Sequence, residues 1–438
     1  MEKNEIIKIL KDWNFWEKDL DIGIKRDAYL TALEKMLPSE QVKIIMGARR
    51  SGKSFIMRQL AHNLIKSGVD KKRILIINFE DPRFVDLDAK LLLQIFDVYK
   101  EFFPSEAKPY IFIDEAQKAH GWERWARMMH ELGKANLTVS GSNAEVLSYE
   151  LGTVLTGRHL DMIVFPLSFR EFLKFKNVKF KINSEPDLIG KSVEIKSFLR
   201  EFLEFGSFPL VVLENDKGKE LLAYFDDVIN KDLLKRYKIR KTEKFKSLVK
   251  FYLNNISSAI TFTSLGKFLQ ISTDSAEKFS GYLETAYLAF SLKRFSYKVK
   301  EQEKSPRKVY AIDTGLANTV GFRSSENSGR LAENAVFLEL KRRMYRNPYL
   351  EMYYWKSLAQ EEVDFAVKEN TEVKELIQVC WDISDMHTKK RETKALLKAM
   401  DEFKLKKGLI ITEDFEGEEK FDNKKIQYIP LWEWLLDV

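Results

Sequence analysis

The amino-acid sequence predicts an α/β protein with a parallel sheet near the N-terminus, a helical middle and a second α/β domain at the C-terminal end. Short apolar strands alternate with helical stretches between residues 41 and 175, which is typical of a parallel sheet covered by helices on both faces. Between residues 219 and 290 the pattern is helical. From residue 330 onward, helices and alternating strands return.

The composition indicates a soluble globular chain. Of its 438 residues, 45% are hydrophobic and 32% are charged, a balance typical of folded domains. The net charge of +7 is too mild by itself to indicate nucleic-acid binding. A single cysteine, Cys380, excludes an intrachain disulfide and favours the cytoplasm. The N-terminus is too charged for a signal peptide, and no apolar run reaches the roughly 20 residues that span a bilayer.

The first 40 residues are predicted to form a helical lead-in, because Leu30, Leu33 and Leu37 recur at helical spacing. A domain at 41–200 follows, and its sheet is assembled from short apolar runs. These runs are QVKIIM at 41–46, RILIINFE at 73–80, YIFIDE at 110–115, ANLTVSGS at 135–142 and a closing strand within 161–173. Helical patterns at 55–65 and 91–103 separate the first strands, as the crossover connections of a parallel sheet require.

The segment between the first strand and its helix matches the phosphate-loop pattern G-x-x-x-x-G-K-[ST]. It consists of Gly47, Ala48, Arg49, Arg50, Ser51, Gly52, Lys53 and Ser54, and Phe55 opens the helix. The glycines let main-chain N–H groups converge on an anion, and the helix directs its positive end toward it. We expect Lys53 to reach the β- and γ-phosphates and the Ser54 hydroxyl to bind Mg²⁺. The pattern therefore predicts a nucleoside triphosphate site.

Acidic and polar side chains follow the later strands. Asp114 and Glu115 end the strand YIFIDE, at the edge where open α/β sheets bind ligands. We expect Asp114 to hold Mg²⁺ through water and Glu115 to polarise the attacking water, so the pair indicates hydrolysis. After the fourth strand, Ser142 or Asn143 is a candidate contact for the γ-phosphate or that water, with a helix cap as the alternative. Arg158 is a candidate arginine finger, from the same chain or a neighbouring subunit, with a solvated loop arginine as the alternative.

Ordered motifs along nearly the whole chain resemble one family. They are IIMGARRSGKSFIMRQL, YIFIDEAQKAHGWERWARMMHEL, LTVSGSNAEVL, LTGRHLDMIVFPLSFREFL, FGSFPLVV, KVYAIDTGLANTV, GRLAENAVFLELKRR and EVDFAV…LIQVCWDI. The chain resembles the archaeal and bacterial AAA-type P-loop ATPases with a C-terminal domain of unknown function 4143. The resemblance implies ATP and Mg²⁺ as cofactors, an additional-strand ATPase core, a winged-helix segment and a restriction-endonuclease-like end domain. It also implies a sensor role for Ser142 and Asn143, and it implies no agreed cellular role.

The middle domain, 201–325, is predicted to be helical with a winged helix. Nine lysines and arginines lie between 231 and 250, opposed by Asp232 and Glu243, and such a density suits the phosphates of DNA. The alternative is a solvated amphipathic helix. A helix-turn-helix at 264–287 has a second helix poor in base-reading side chains, so backbone contact is favoured. The predicted basic wing tip comprises Lys298, Lys300, Lys304, Arg307 and Lys308. Winged helices also dock proteins or cover nucleotides, so both partner classes stay open.

The C-terminal domain, 326–438, is predicted to be nuclease-like. Strict alternation places Glu362, Asp364 and Ala366 on one face of a strand, and in a hairpin Asp364 would approach Gln378. Glu333, on the preceding helix, would join them. The resemblance implies that these positions, followed by a lysine, form a Mg²⁺-dependent nuclease site.

The lysine position of that site holds Cys380, a thiol that is neutral near pH 7 at its ordinary pKa. Lys356 and Lys374, on neighbouring predicted strands, are candidates to replace the lysine in space. We therefore expect a nuclease-like domain without a complete active site that still binds DNA or metal weakly. The alternative is an ordinary hairpin whose polar face is solvated.

Together these features predict a cytoplasmic, Mg²⁺-dependent ATPase whose cycle drives a conformational switch associated with DNA. Two alternatives remain. One is a signalling-type switch that engages a protein, and the other is an active ATP-coupled nuclease. The sequence predicts no membrane partner and leaves the oligomeric state open.

Overall fold

The structure of the chain is a computed structural model that describes residues 1–142, 155, 157–178, 185–321 and 328–436, without the side chains of 185–191. The chain divides into two compact units. Unit 1 is Met1–Val164 and unit 2 is Phe165–Val438. Within the described ranges, no helix is both long and apolar enough to cross a membrane.

Unit 1 is built on a five-stranded parallel sheet, which confirms the predicted α/β core. Its strands are β1 Val42–Gly47, β2 Ile74–Asn78, β3 Tyr110–Asp114, β4 Asn136–Gly141 and β5 His159–Val164. They lie in the order β2-β3-β4-β1-β5, and every neighbouring pair is parallel. Strand β4 therefore separates the strand that leads into the phosphate loop from the strand that ends in Asp114. The central strands are nearly continuous apolar runs because helices cover both faces.

The helices of unit 1 include the lead-in. They are α1 Lys3–Trp13, α2 Asp27–Met36, α3 Lys53–Lys66, α4 Ala89–Phe102 and α5 Trp122–Glu131. Buried side chains of the lead-in, among them Phe15, Leu30 and Leu33, join one apolar cluster with Ile56 and Leu60 of α3. The first 40 residues are therefore packed onto the sheet domain through its phosphate-loop helix.

Unit 2 begins with helices and a small antiparallel sheet. The helices are α6 Phe169–Phe175, α7 Glu185–Phe205, α8 Pro209–Leu213, α9 Lys217–Asp227, a π-helical turn Val228–Leu234 and α10 Thr242–Asn254. There follow β6 Ser258–Ile260, α11 Phe262–Leu269, α12 Thr273–Thr285, β7 Ala289–Leu292, α13 Val299–Lys304, β8 Arg307–Ala311 and α14 Thr314–Val320. Strand β8 is central in the sheet, between β6 and β7.

The predicted basic wing tip is only partly correct. Residues Val299–Lys304 form the short helix α13 rather than an extended tip. The sequence predicts an exposed Lys308, and this prediction is wrong, because its side chain is 3% exposed and makes ion pairs within unit 2. Strand β8 is paired along both edges, and the carboxylates of Glu333, Glu362 and Asp364 surround the ammonium of Lys308.

The C-terminal part of unit 2 contains a six-stranded mixed sheet. Its elements are α15 Ser328–Arg346, β9 Leu350–Lys356, β10 Glu362–Glu369, β11 Glu372–Val379, α16 Met386–Glu402, β12 Lys407–Thr412, β13 Gly417–Phe421, β14 Lys424–Pro430 and α17 Leu431–Leu436. The strand order is β13-β14-β12-β11-β10-β9. Strands β9, β10 and β11 form an antiparallel meander, whereas β12 lies parallel to both β11 and β14.

The predicted alternation along β10 is interrupted. Its register against β9 shifts between Val363 and Ala366, and these two residues are buried in the same apolar cluster. Strict alternation predicts that Ala366 shares a face of the strand with Asp364. This prediction is wrong, because Ala366 faces the apolar cluster together with Val363. A bulge adds a residue to one strand and turns the side chains beyond it to the other face.

Candidate functional site

The phosphate loop joins β1 to α3 through two glycines in the left-handed region. Gly47 has φ +142°, and a Cβ placed there would lie 2.2 Å from the main-chain oxygen of Val164. Gly52, with φ +97°, precedes the first helical residue. Residues other than glycine rarely adopt these backbone conformations. The glycines of the pattern are thus required by the path of the chain itself.

Lys53 is enclosed by this loop. The side chain is buried, and its Nζ donates hydrogen bonds to the carbonyls of Gly47 (3.1 Å) and Ala48 (3.0 Å). The loop thus fixes a positive charge at the N-terminus of α3, where the helix dipole also favours an anion. Phe55, two positions further along the helix, is 39% exposed. Its ring lies against Gly23 of the lead-in, where a Cβ would come within 2.9 Å.

The two residues predicted to bind Mg²⁺ are in contact. The hydroxyls of Ser140 and Ser54 hydrogen-bond the Asp114 carboxylate. Burial, followed by the charge of Glu115, raises the pKa of Asp114, and these hydroxyls oppose the rise. The raised pKa means that a further positive charge beside the buried Asp114 carboxylate would be favourable. A carboxylate and a serine hydroxyl are oxygen ligands that fit a hard cation such as Mg²⁺. Within the described ranges, no three His, Cys, Asp or Glu residues form a metal site on their own. Mg²⁺ here would therefore need phosphate oxygens and water as further ligands.

Glu115 is held as an oriented carboxylate. It follows β3 in a left-handed conformation, with φ +53°, which costs energy in a non-glycine residue. Its Oε2 accepts hydrogen bonds from Ser142 Oγ (3.1 Å) and from the Gln117 amide. Burial opposes its ionisation, but the Lys53 charge and these two hydrogen bonds lower its pKa below the ordinary value. Glu115 therefore combines a negative charge with a fixed direction.

The remaining predicted residues lie at different distances from this centre. Arg49 and Arg50 are half-buried in the loop, and Arg49 Nη2 lies 3.6 Å from Glu80 Oε1. The main-chain oxygen of Arg158 accepts a hydrogen bond from the N–H of Val42, at the start of β1. The length of β1, Val42–Gly47, separates this point from the start of the phosphate loop by about 17 Å. Arg158 Nη2 instead lies 3.5 Å from Glu131 Oε1.

Arg158 thus does not reach the phosphate loop of its own chain, and its use in the same chain is not supported. A role toward a neighbouring subunit stays a prediction. Asn143 lies outside the described residues. Sequence reasoning missed two contributors, namely Ser140 and Gln117. Ser140 is the penultimate residue of β4, at the same edge of the sheet as Asp114, and this position is the signal that could have identified it.

A second constellation lies in unit 2, centred on Lys308. Its Nζ is 2.7 Å from Asp364 Oδ1, 2.8 Å from Glu362 Oε1 and 3.1 Å from Glu333 Oε1. Tyr310, two positions later on β8, donates its hydroxyl to Glu333 at 2.8 Å. Glu333 and Asp364 are therefore brought together as predicted. The cation between them comes from a strand that the sequence does not connect with this role.

The electrostatics of this acidic cluster follow from burial. Burial, together with the negative charge of Asp364, raises the pKa of Glu333 to about 8. Burial lowers the pKa of Lys308, but the surrounding carboxylates outweigh it and raise that pKa well above the ordinary value. At pH 7, Lys308 is thus charged, and Glu333 is mostly protonated.

Gln378 does not offer its oxygen to a metal in this arrangement. Its Oε1 accepts the main-chain N–H of Asp364 at 3.1 Å, and its Nε2 donates to Glu392 at 2.7 Å. Burial raises the pKa of Cys380 to about 12, which keeps the thiol neutral. Lys374 is exposed and pairs with Glu372. Lys356 lies 3.2 Å from Glu362, so it borders the cluster.

Comparisons with known proteins agree with this architecture. An AAA domain family model matches residues 39–173. Models of domains of unknown function 8612 and 4143 match residues 196–327 and 328–434. The uncharacterized protein MJ1544 of Methanocaldococcus jannaschii is 34% identical over 432 residues, which cover 95% of this chain and 93% of that protein. An uncharacterized protein of Haemophilus influenzae is 30% identical over 418 residues, with 93% and 98% covered.

Among solved structures, the Walker-type ATPase PABY2304 of Pyrococcus abyssi is similar, with a TM-score of 0.45 and 12% identity. The similarity covers 68% of this chain and 95% of that one. The matched domains and the full-length relatives lead to one assignment. The chain belongs to the family of P-loop ATPases in which an AAA domain is combined with a C-terminal domain of unknown function 4143.

Proposed function

We propose that this chain binds ATP with Mg²⁺, hydrolyses it, and uses the cycle to drive a conformational switch that is associated with DNA. The observation that carries the catalytic part is the contact between Ser54 and Asp114, together with the enclosed Lys53 and the oriented Glu115. These four side chains come from the end of β3 and from the junction of the phosphate loop with α3, and they converge on one edge of the parallel sheet.

Each residue has a role that its surroundings support. Lys53 and the N-terminal N–H groups of α3 bind the phosphates. Ser54 and Asp114 would hold Mg²⁺, which when bound neutralises charge that develops on the phosphoryl oxygens. Glu115, with its lowered pKa, is ionised at neutral pH and orients the attacking water. Ser142 keeps that carboxylate in place through its hydrogen bond.

The catalytic part is tested with three variants. Lys53→Ala should weaken binding of Mg²⁺-ATP by more than tenfold, because it removes the charge inside the loop. Lys66→Ala, an exposed lysine at the other end of the same helix, should bind as the wild type does. Glu115→Gln should retain binding and lose turnover by roughly 10²–10⁴-fold, the usual contribution of a positioned base. Equal affinities for Lys53→Ala and Lys66→Ala would refute the site.

The proposed association with DNA is based on the positively charged side chains of residues 231–250. Six cationic side chains there are exposed, and five of them are Lys235, Lys238, Arg240, Lys241 and Lys250. The sixth, Lys231, pairs with Asp227, and the half-buried Lys246 pairs with Glu243. A cluster of exposed cations supports contact with DNA phosphates, and such contacts do not depend on the base sequence. Helix α12 presents Asp274 and Glu277 to solvent, which disfavours sequence-specific reading of a groove.

DNA binding is tested by its salt dependence. The triple variant Lys238→Gln, Arg240→Gln, Lys241→Gln should reduce the slope of log affinity against log salt by roughly 3, about one unit for each phosphate that is no longer neutralised. The triple variant Lys404→Gln, Lys406→Gln, Lys407→Gln removes the same charge from other exposed positions and should leave the slope unchanged. Equal slopes for the two triple variants would contradict DNA binding through 231–250.

The same preparations separate the alternatives. DNA should stimulate ATP turnover if the proposal is correct. DNA-independent turnover with retained nucleotide would indicate the protein-directed switch instead. Plasmid nicking that Asp364→Ala abolishes would indicate the ATP-coupled nuclease.

A further inference from the structure

The lead-in is fastened to the phosphate-loop helix by one buried glutamine. Gln59 lies on α3 and is fully buried. Its Nε2 donates to the main-chain oxygens of Ile22 (2.7 Å) and Ile24 (3.0 Å). Its Oε1 accepts the main-chain N–H of Arg26 at 3.2 Å. Three hydrogen bonds from one side chain therefore fix residues 22–26 relative to the helix that begins at the phosphate loop.

Arg26 extends from this segment to the loop itself. The residue is 2% exposed, and its Nη1 donates to the main-chain oxygen of Ser51 at 2.8 Å. Its guanidinium carbon lies 4.5 Å from the centroid of the Tyr29 ring. Burial of a charged arginine side chain is costly unless the guanidinium is paired or hydrogen-bonded. Here a permanent positive charge lies directly behind the loop that the proposed function assigns to phosphate binding.

The hydrogen bond from Arg26 to the Ser51 oxygen determines how the Ser51–Gly52 peptide is oriented. In a planar trans peptide, the C=O of one residue and the N–H of the next point to opposite sides. Arg26 holds the C=O of Ser51, so the N–H of Gly52 points away from Arg26. Gly52 caps the N-terminus of α3, and the N–H groups of that turn are the ones that bind an anion.

We propose that Arg26 is a positioning residue of the nucleotide site. It fixes the Ser51–Gly52 peptide so that the Gly52 N–H faces the phosphates, and it adds positive charge behind them. This inference rests on the proposed ATP binding. In this role Arg26 acts through the main chain of the loop, so it contributes equally to the ground state and the transition state.

The expected effect is therefore on binding rather than on the chemical step. Loss of a hydrogen bond from a charged donor corresponds to roughly tenfold to hundredfold weaker binding. Arg26→Met should raise both the Kd and the KM for Mg²⁺-ATP by about that factor. Its kcat should stay within about threefold of the wild type, since uniform binding alters KM alone. Arg26→Lys, which retains a charge and a donor, should lie between the two.

Arg73 provides a matched control. Its Nη2 donates to the main-chain oxygen of Lys108 at 2.8 Å, and its guanidinium lies 5.9 Å from the ring of Tyr110. The chemistry is the same as for Arg26, but Arg73 precedes β2 and so lies at the opposite edge of the sheet. Arg73→Met should cost stability and leave the affinity for nucleotide unchanged.

The experiment titrates each full-length variant with a fluorescent ATP analogue and Mg²⁺, measures steady-state turnover, and records thermal unfolding without nucleotide. Weaker binding by Arg26→Met than by Arg73→Met, with kcat retained, supports the inference. Equal affinities for the two variants overturn it. If Arg26→Met does not fold, Arg26→Lys and Arg73→Lys decide in the same way. Absence of binding by the wild type would instead refute the proposed function.

Discussion

Replacing Lys308 by Met removes the cation at the centre of the acidic cluster while keeping much of its apolar volume. The substitution affects three carboxylates unequally. Glu362 keeps Lys356 at 3.2 Å, and Glu333, whose pKa is about 8, is mostly neutral at pH 7. Asp364 retains the Val379 N–H at 2.9 Å and loses the ammonium at 2.7 Å. The cost therefore comes chiefly from one buried carboxylate.

Breaking a buried pair by removing one partner typically costs about 3–5 kcal/mol. Because a single carboxylate is left uncompensated, we expect about 3 kcal/mol at pH 7, near the lower limit. The cost should increase above pH 8. There the wild type ionises Glu333 beside Lys308, whereas the variant must keep Glu333 protonated, and a proton retained in the folded state lowers stability as pH rises.

Urea unfolding of the full chain, followed by tryptophan fluorescence at pH 7 and pH 9, measures this cost. Lys300→Met, at an exposed lysine on the neighbouring helix, should change the free energy of unfolding by less than about 0.5 kcal/mol. The double variant Lys308→Met, Asp364→Asn should recover most of the loss, because it removes the stranded charge. A loss below about 1 kcal/mol, or no recovery in the double variant, would refute the reasoning.

Three further predictions concern other residues. Gly47→Ala should destabilise unit 1 by more than about 1 kcal/mol in thermal unfolding, since its Cβ would collide with the Val164 oxygen; an unchanged Tm would contradict this. Burial raises the pKa of Asp313 to about 6, so the folded state retains a proton that the unfolded chain loses. The free energy of unfolding should therefore fall by up to about 3 kcal/mol between pH 4 and pH 6 because of Asp313. Urea unfolding at several pH values measures this dependence, which should be absent in Asp313→Asn. Cys380, buried and with a pKa of about 12, should react with a thiol reagent only after denaturant is added; labelling of the folded chain would show otherwise.

The phosphate loop could be predicted from the sequence because its chemistry depends on neighbouring residues. The spacing of Gly47, Gly52 and Lys53 determines the path of the loop, and an apolar strand identifies the edge at which Asp114 lies. The parallel sheet was predictable for the same reason, since short apolar runs alternate with helices. In both cases the relevant information is local in the chain.

The acidic cluster depends on contacts that no local pattern reveals. Lys308 reaches Asp364 across 56 residues, and a basic stretch has the same appearance in sequence whether it is buried or exposed. The bulge in β10 has no hydrophobic signature, so strict alternation places Ala366 on the wrong face. Arg158 illustrates the same difficulty, because distance along the chain does not tell which edge of a sheet a residue occupies.

The ion pairs of Lys308 also bear on where this protein can be divided. The two C-terminal family models meet between residues 327 and 328, yet the ammonium and its three acidic partners lie on opposite sides of that junction. A fragment beginning at 328 would keep Lys356 beside Glu362 but lose the ammonium beside Asp364, so it should be less stable than the same segment in the full chain. In evolution, segments 196–327 and 328–434 would then have to be inherited and exchanged together, because their shared ion pairs make them one structural unit.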